Sequence, residues 1–331
     1  MDLDALRAAR EQEWARLDTL ARTRRLGGRE ADELILRYQD AAADLAAITA
    51  TAGPTPLTDR LSITLSRARI RFTGTGANLL SSVPRFAVLQ LPAALYRLRW
   101  WTLAIAVITA VVAVVYGVWA ANSPAVQAAI GDPATLKKLV DHDFVDYYSE
   151  NPAASFTGEV WTHNALLAAE CIAFGVLGLF VPVIVLQNAQ NIGIDGGILI
   201  AYGRADTFFL YIAPHGLLEL TSLFVAAAAG MRIFWAWIAP GARSRGQALA
   251  EDGRALFTVA VGLTVSLFVS GCIEGFVTPS PLPWPVKIGI GALALAAFLT
   301  YMLAVGRRAT RAGQTGDLDE FAAGARCIAA A

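Results

Sequence analysis

The stretch Ala213-Pro214-His215-Gly216-Leu217-Leu218-Glu219-Leu220 places an imidazole and a carboxylate four residues apart, at the head of an apolar run that continues to Gly230. Side chains at i and i+4 share one helix face, so His215 and Glu219 point the same way if the run is helical. The pair can carry a proton, hold a cation, or hydrogen-bond across a bundle and fix its packing. Inside a membrane a charge is costly to bury, which makes such a pair a functional candidate. Glu170 and Glu274 are two further carboxylates within apolar runs. Pro214 suits the first turn of a helix, and with Gly216 beside it the free amides there could receive an anionic headgroup or a substrate carboxylate. Asn164, Asn188, Asn191, Gly193 and Asp195 form a second polar set, read as holding an irregular backbone together inside the membrane.

Hydrolytic chemistry is poorly supplied. The three histidines are His142, His163 and His215, and no H-E-x-x-H is present. Ser222, Ser270 and Cys272 lack a nucleophile motif around them. The residues therefore favour a non-enzymatic role, imply no cofactor, and leave the question of a metal open. Cys171, Cys272 and Cys327 have no paired spacing, so neither a disulfide framework nor a cysteine metal site is expected.

The elements that must position these groups follow from composition. Hydrophobic residues make up 56% of the chain and charged residues 16%, and the apolar residues come in runs long enough to cross a bilayer. Net charge is zero, which removes the electrostatic case for nucleic acid. The first 50 residues are polar and resemble no signal peptide, so insertion is expected through later spans. They read instead as two amphipathic helices broken at Gly27-Gly28, a helical hairpin, followed by a basic segment from Pro56 that lies on the membrane surface or on the hairpin. A loop is expected from Gly74 to Pro84.

Spans are expected at Trp100–Ala121, Asn164–Asn188, 208–231, 255–277 and 286–305, with a short or re-entrant crossing at about 189–206. Arg97 and Arg99, the 239–254 loop and the arginines after Val305 mark cytosolic ends, and the acid-rich 122–163 loop marks the outer face. The expected fold class is all-α: a polytopic transmembrane helix bundle of five to six crossings with an N-terminal cytosolic helical hairpin. Residues 1–95 form the cytosolic region. Residues 96–311 form the membrane domain, with the outer loop 122–163 and a broken segment 189–213, and residues 312–331 form a cytosolic tail. This topology puts Glu170, His215, Glu219 and Glu274 in the outer half of the membrane, as ligand- or proton-binding candidates. Gly175/Gly178 and the alanine run 226–229 offer small-residue faces on which two copies could pair as a homodimer.

The chain resembles the stage II sporulation protein M family. The resemblance is carried by Trp14-Ala15-Arg16-Leu17, Tyr38 with Asp44-Leu45-Ala46, Asn164, Gln187-Asn188 through Gly193, Pro214-His215-Gly216 with Glu219, and Ile273-Glu274-Gly275-Phe276-Val277-Thr278. It implies a multi-pass protein of the bacterial cytoplasmic (inner) membrane with a cytosolic N-terminus, and the arginines after Val305 put the C-terminus on the same side. It also implies a scaffold or assembly role with membrane or cell-envelope partners, which in sporulating relatives are peptidoglycan-degrading proteins of engulfment. The alanine- and arginine-rich composition resembles an actinobacterial relative. The alternative reading is a transporter or lipid-handling protein that binds a proton, cation or anionic headgroup at the polar cluster, with membrane lipids as partners.

Overall fold

The computed structural model describes residues 3–23, 26–53, 55–72 and 83–316, and all regular structure among them is helical. The chain forms two compact units, Met1–Pro84 and Arg85–Ala331. The expected loop at 74–84 and the tail beyond 316 lie almost wholly outside the described residues.

In the first unit, α1 (Leu3–Arg22), α2 (Gly28–Ala52) and α3 (Pro56–Phe72) pack together. Their apolar positions recur at helical spacing and close on one core of Trp14, Leu17, Leu20, Leu34, Ile48, Leu61 and Leu65. The basic segment thus packs on the hairpin as its third helix. Trp14 reaches across it, with Nε1 donating to Asp44 at 3.0 Å. Glu33 accepts from Arg16 at 2.9 Å and from Arg37 at 2.7 Å, and these bonds hold its pKa down to about 2. A depressed folded-state pKa stabilises above the ordinary value of 4.5 and loses its contribution as pH falls towards 2. Glu33→Gln should therefore lower the thermal midpoint of the full chain at pH 6, with the gap to wild type narrowing below pH 4.5 and closing as pH falls through about 2. A gap independent of pH would show that Glu33 contributes through packing alone.

The second unit is a bundle with six long helices among the described residues. They are α4 (Val83–Asn122), α7 (Ala153–Ala173), α8 (Phe180–Ala201), α9 (Ala205–Ile238), α10 (Arg245–Val277) and α11 (Trp284–Arg311). Short helices α5 (Pro124–Ile130) and α6 (133–146) fill the connection from α4 to α7. All of the six except α7 are long and apolar enough to cross a membrane. Gly193 and Gly197 of α8 meet Ala113 and Gly117 of α4, so these two run parallel. Val181 lies by Gly230 and Gly196 by Phe208, which sets α9 antiparallel to α8. Ser222 bonds Ser266 at 2.9 Å, turning α10 back along α9. Trp161 donates to Thr264 at 3.1 Å, and Thr157 to Gly271 at 3.3 Å, setting α7 antiparallel to α10. Gly291 meets Pro214 and Gly306 meets Pro92, returning α11 to the end where α4 begins.

Several expected boundaries move. The compact units divide at 84 rather than 95, because α4 starts at Val83 and is already buried in the bundle at Gln90 and from Pro92 to Leu95. Residues 164–188 are not one span: the helix stops at Ala173, a tight turn passes through Gly178 at φ 68°, and α8 starts at Phe180. The segment 189–213 is broken at Tyr202–Arg204, with Gly203 at φ 76°, and not in its glycine-rich first half. It is regular helix to Ala201, and α9 resumes at Ala205 after a turn. The glycines that suggested irregular backbone are contact points: Gly193 and Gly197 let α4 and α8 touch backbone to backbone, as small residues do between membrane helices. A break that was not expected, between α7 and α8, uses Gly178, whose left-handed backbone other residues adopt only at a cost. The homodimer faces are also consumed internally, since Gly175 lies against Gly230 and Ala226 to Ala229 are buried.

The bundle is held at the end where α4 begins by Asp252, 3% exposed. Arg97 and Arg232 each lie 3.5 Å from its Oδ1, and Arg243 lies 3.5 Å from Oδ2.

Candidate functional site

At the opposite end, His215 and Glu219 share a face of α9, as their spacing requires, and Glu274 meets them from α10. The nitrogen or oxygen that each offers lies within 4.8 Å of the other two. His215 and Glu274 are each 4% exposed, and Glu219 is part-exposed. Glu274 sits at the start of a wide turn, Ile273–Val277, in which the Thr278 amide bonds back to the Ile273 carbonyl at 2.9 Å, five residues earlier. Such insertions rotate the next stretch of helix about its axis and recur at functional sites. Here the turn brings Glu274 and Thr278 to the same imidazole.

The imidazole has distinct neighbours on its two nitrogens. Thr278 Oγ1 lies 3.5 Å from Nδ1 and 3.3 Å from the Ile273 carbonyl. A hydroxyl that donates to that carbonyl leaves its oxygen to accept from Nδ1–H, which turns the Nε2 lone pair towards Glu274. The Nε2–Glu274 separation is 3.8 Å, longer than a hydrogen bond. Ser270 Oγ lies 3.1 Å from the His215 carbonyl and 3.4 Å from Glu219, and its single proton can serve either. Asn164 of α7 also hydrogen-bonds Glu219. The Thr278 carbonyl in turn accepts from Lys287 Nζ at 2.6 Å, and that ammonium stands 4.0 Å over the Trp284 ring.

The α4–α7 connection closes this end. Tyr148 stands 5.8 Å from the imidazole, ring to ring, and packs with Phe144, Phe156 and Tyr211. Burial, followed by the nearby Glu274 carboxylate, pushes the Tyr147 phenol up to about 12 and raises Tyr148 as well, so both stay neutral at physiological pH.

Of the expected site residues, His215, Glu219 and Glu274 come together and Asn164 joins them. Glu170 does not. Because α7 begins at Ala153, Glu170 lies one turn from its far end, roughly 9 Å beyond Asn164 along the axis. Pro214 is not at a helix start: α9 begins at Ala205, and the proline lies inside it. The free helix-start amides expected at Pro214 are therefore not at that position. Gly216 meets only Ile212 of its own helix. Asn188 lines a small apolar pocket with Thr109 and Cys171, while Asn191 and Asp195 are exposed. Ser270 and Thr278 are the members that sequence reasoning passed over. Thr278 closes the I-E-G-F-V-T stretch, but only the wide turn reveals that it faces the ring.

Residues 105–279 match the family described as Stage II sporulation protein M, a span that takes in every group of the cluster except Lys287 and Trp284. The chain belongs to this family. The N-terminal stretches that contributed to the resemblance fall outside that match: residues 4–74 match a separate Domain of unknown function (DUF8413). No curated protein and no solved structure matches the chain. Membership of the Stage II sporulation protein M family and the membrane-length helices together make this a multi-pass membrane protein.

Proposed function

We propose that this protein binds a divalent cation inside its helix bundle, between His215, Glu219 and Glu274, and acts as a cation-dependent transporter. The observation that carries this reading is the gap between the imidazole and Glu274, 3.8 Å and too long for a hydrogen bond, with Glu219 completing a triangle no wider than 4.8 Å. Side-chain shifts of under about 1 Å would bring all three to coordination distance. A doubly charged ion balances two carboxylates whose burial is otherwise costly. One nitrogen and two oxygens suit zinc or manganese better than calcium, which prefers all-oxygen shells. Ser270, Thr278 and Asn164 would orient the ligands.

Binding of Zn²⁺ and Mn²⁺ to full-length protein in lipid nanodiscs, read by calorimetry and metal analysis after chelation, tests the site. One ion per chain is expected, with affinity reduced at least about tenfold in Glu219→Gln and Glu274→Gln, and about tenfold in Thr278→Val. Unchanged affinity in both glutamine variants would refute the site. Metal uptake into proteoliposomes then separates transport from a purely structural ion.

A scaffold role is the second reading, supported by the first unit, which has its own core and its own family match. In that reading residues 1–84 capture membrane or cell-envelope partners, and their removal abolishes capture without changing metal affinity. Both readings place the chain in the bacterial cytoplasmic membrane with six crossings and cytosolic termini. The helix directions and the arginines at 243, 245, 307, 308 and 311 support that orientation.

A further inference from the structure

A lateral groove of 380 Å³ runs along the outside of the bundle at the Asp252 end, walled by Leu103 and Ala106 of α4, Phe224 of α9, and Leu299 and Leu303 of α11. Arg99 lies at its mouth beside Trp100. Leu103 and Leu303 are 52% and 44% exposed, so the groove opens outward along a face that lipid chains contact. Arg99 donates to the Tyr96 carbonyl at 2.8 Å and stacks over the Tyr96 ring at 3.9 Å. Among the described residues no carboxylate pairs with it. A guanidinium has five N–H groups, so most of its donors remain open. Nearby Trp235 and Trp237 are about half exposed and Trp100 is 65% exposed, in the manner of side chains at the boundary between hydrocarbon and headgroups. Arg97 and Arg232, by contrast, are engaged by Asp252.

An unpaired cation at the polar end of an apolar groove is complementary to one kind of molecule. We infer that this groove binds a single anionic phospholipid, with its phosphate on Arg99 and one acyl chain between α4 and α11. The acyl chain covers the exposed leucines, and the phosphate supplies a counter-charge that no carboxylate among the described residues provides. The site is independent of the His215 cluster, which lies at the other end of the bundle.

Native mass spectrometry of the full chain in detergent, supplied with dioleoyl phosphatidylglycerol or dioleoyl phosphatidylcholine, tests this. Wild type should retain one phosphatidylglycerol with about fivefold preference over phosphatidylcholine, the worth of one arginine near a headgroup. Arg99→Gln should bring the two lipids to parity, and Arg99→Lys should keep the preference. Ala106→Phe, which fills the groove, should reduce retention of both. An undiminished preference in Arg99→Gln, or full retention in a folded Ala106→Phe, would overturn the assignment. So would a lipid-free dimer that either variant dissolves, since a second copy would then be the occupant.

Discussion

Asp252→Ala is expected to destabilise the bundle by about 3 kcal/mol or more, the largest effect of any single polar substitution in this chain. The carboxylate is 3% exposed and is approached by Arg97 from α4, Arg232 from α9, and Arg243 from the turn before α10. Removing it leaves three partly buried guanidinium groups near one another, of which only Arg243 keeps a carboxylate partner, Glu251. Their mutual repulsion adds to the lost attraction. Arg243→Ala should cost far less, because Arg243 also pairs with the more exposed Glu251 at 2.6 Å, where solvent screens the interaction. Thermal or denaturant unfolding in lipid nanodiscs provides the measurement. If the aspartate and arginine variants melt together, Asp252 does not clamp the three helices.

Gly230→Val should have an effect of similar size, for reasons of space. A side chain at position 230 would strike the Cys171 carbonyl and Val181, and a side chain at Gly175 would meet Gly230 Cα at 2.5 Å. Carbonyl oxygens in a helix cannot rotate aside as a rotamer can, so α7 and α8 must separate from α9. Overpacking a close-packed interior costs about 1–3 kcal/mol, and a backbone collision belongs at or above the top of that range. The same movement would carry Asn164 away from Glu219. A lower melting temperature together with weaker Zn²⁺ binding is therefore expected. Loss of stability with unaltered metal affinity would show that α7 is dispensable to the cluster.

The fold was legible where one physical signal dominated. Apolar runs gave the membrane helices, and the 3.6-residue period placed His215 and Glu219 on one face. Failure came where a residue type serves two purposes. Gly193 and Gly178 look alike in a sequence. The first allows close contact between helices, while the second permits a left-handed turn, and only the partner helix distinguishes them. Pro214 misled in the same way, since a proline within a membrane helix is tolerated when neighbours compensate. The error at Glu170 came from a misplaced helix start: beginning the span at Asn164 instead of Ala153 shifted its depth by half the membrane. Ser270 and Thr278 were beyond sequence reading, because the inserted residue near Glu274 changes the helical phase without any compositional trace.

One consequence concerns bilayer thickness. Asp252 is fixed near the start of α10 and Ser270 near its end, about 27 Å apart at helical rise. Each end is tied to α9, through Arg232 on Asp252 at one and the Ser270 hydroxyl on the His215 carbonyl at the other. Two helices fastened at both ends cannot slide past each other to follow a thinner or thicker bilayer. The pair then behaves as a strut of set length, and hydrophobic mismatch must be relieved by tilt or by deformation of the surrounding lipid.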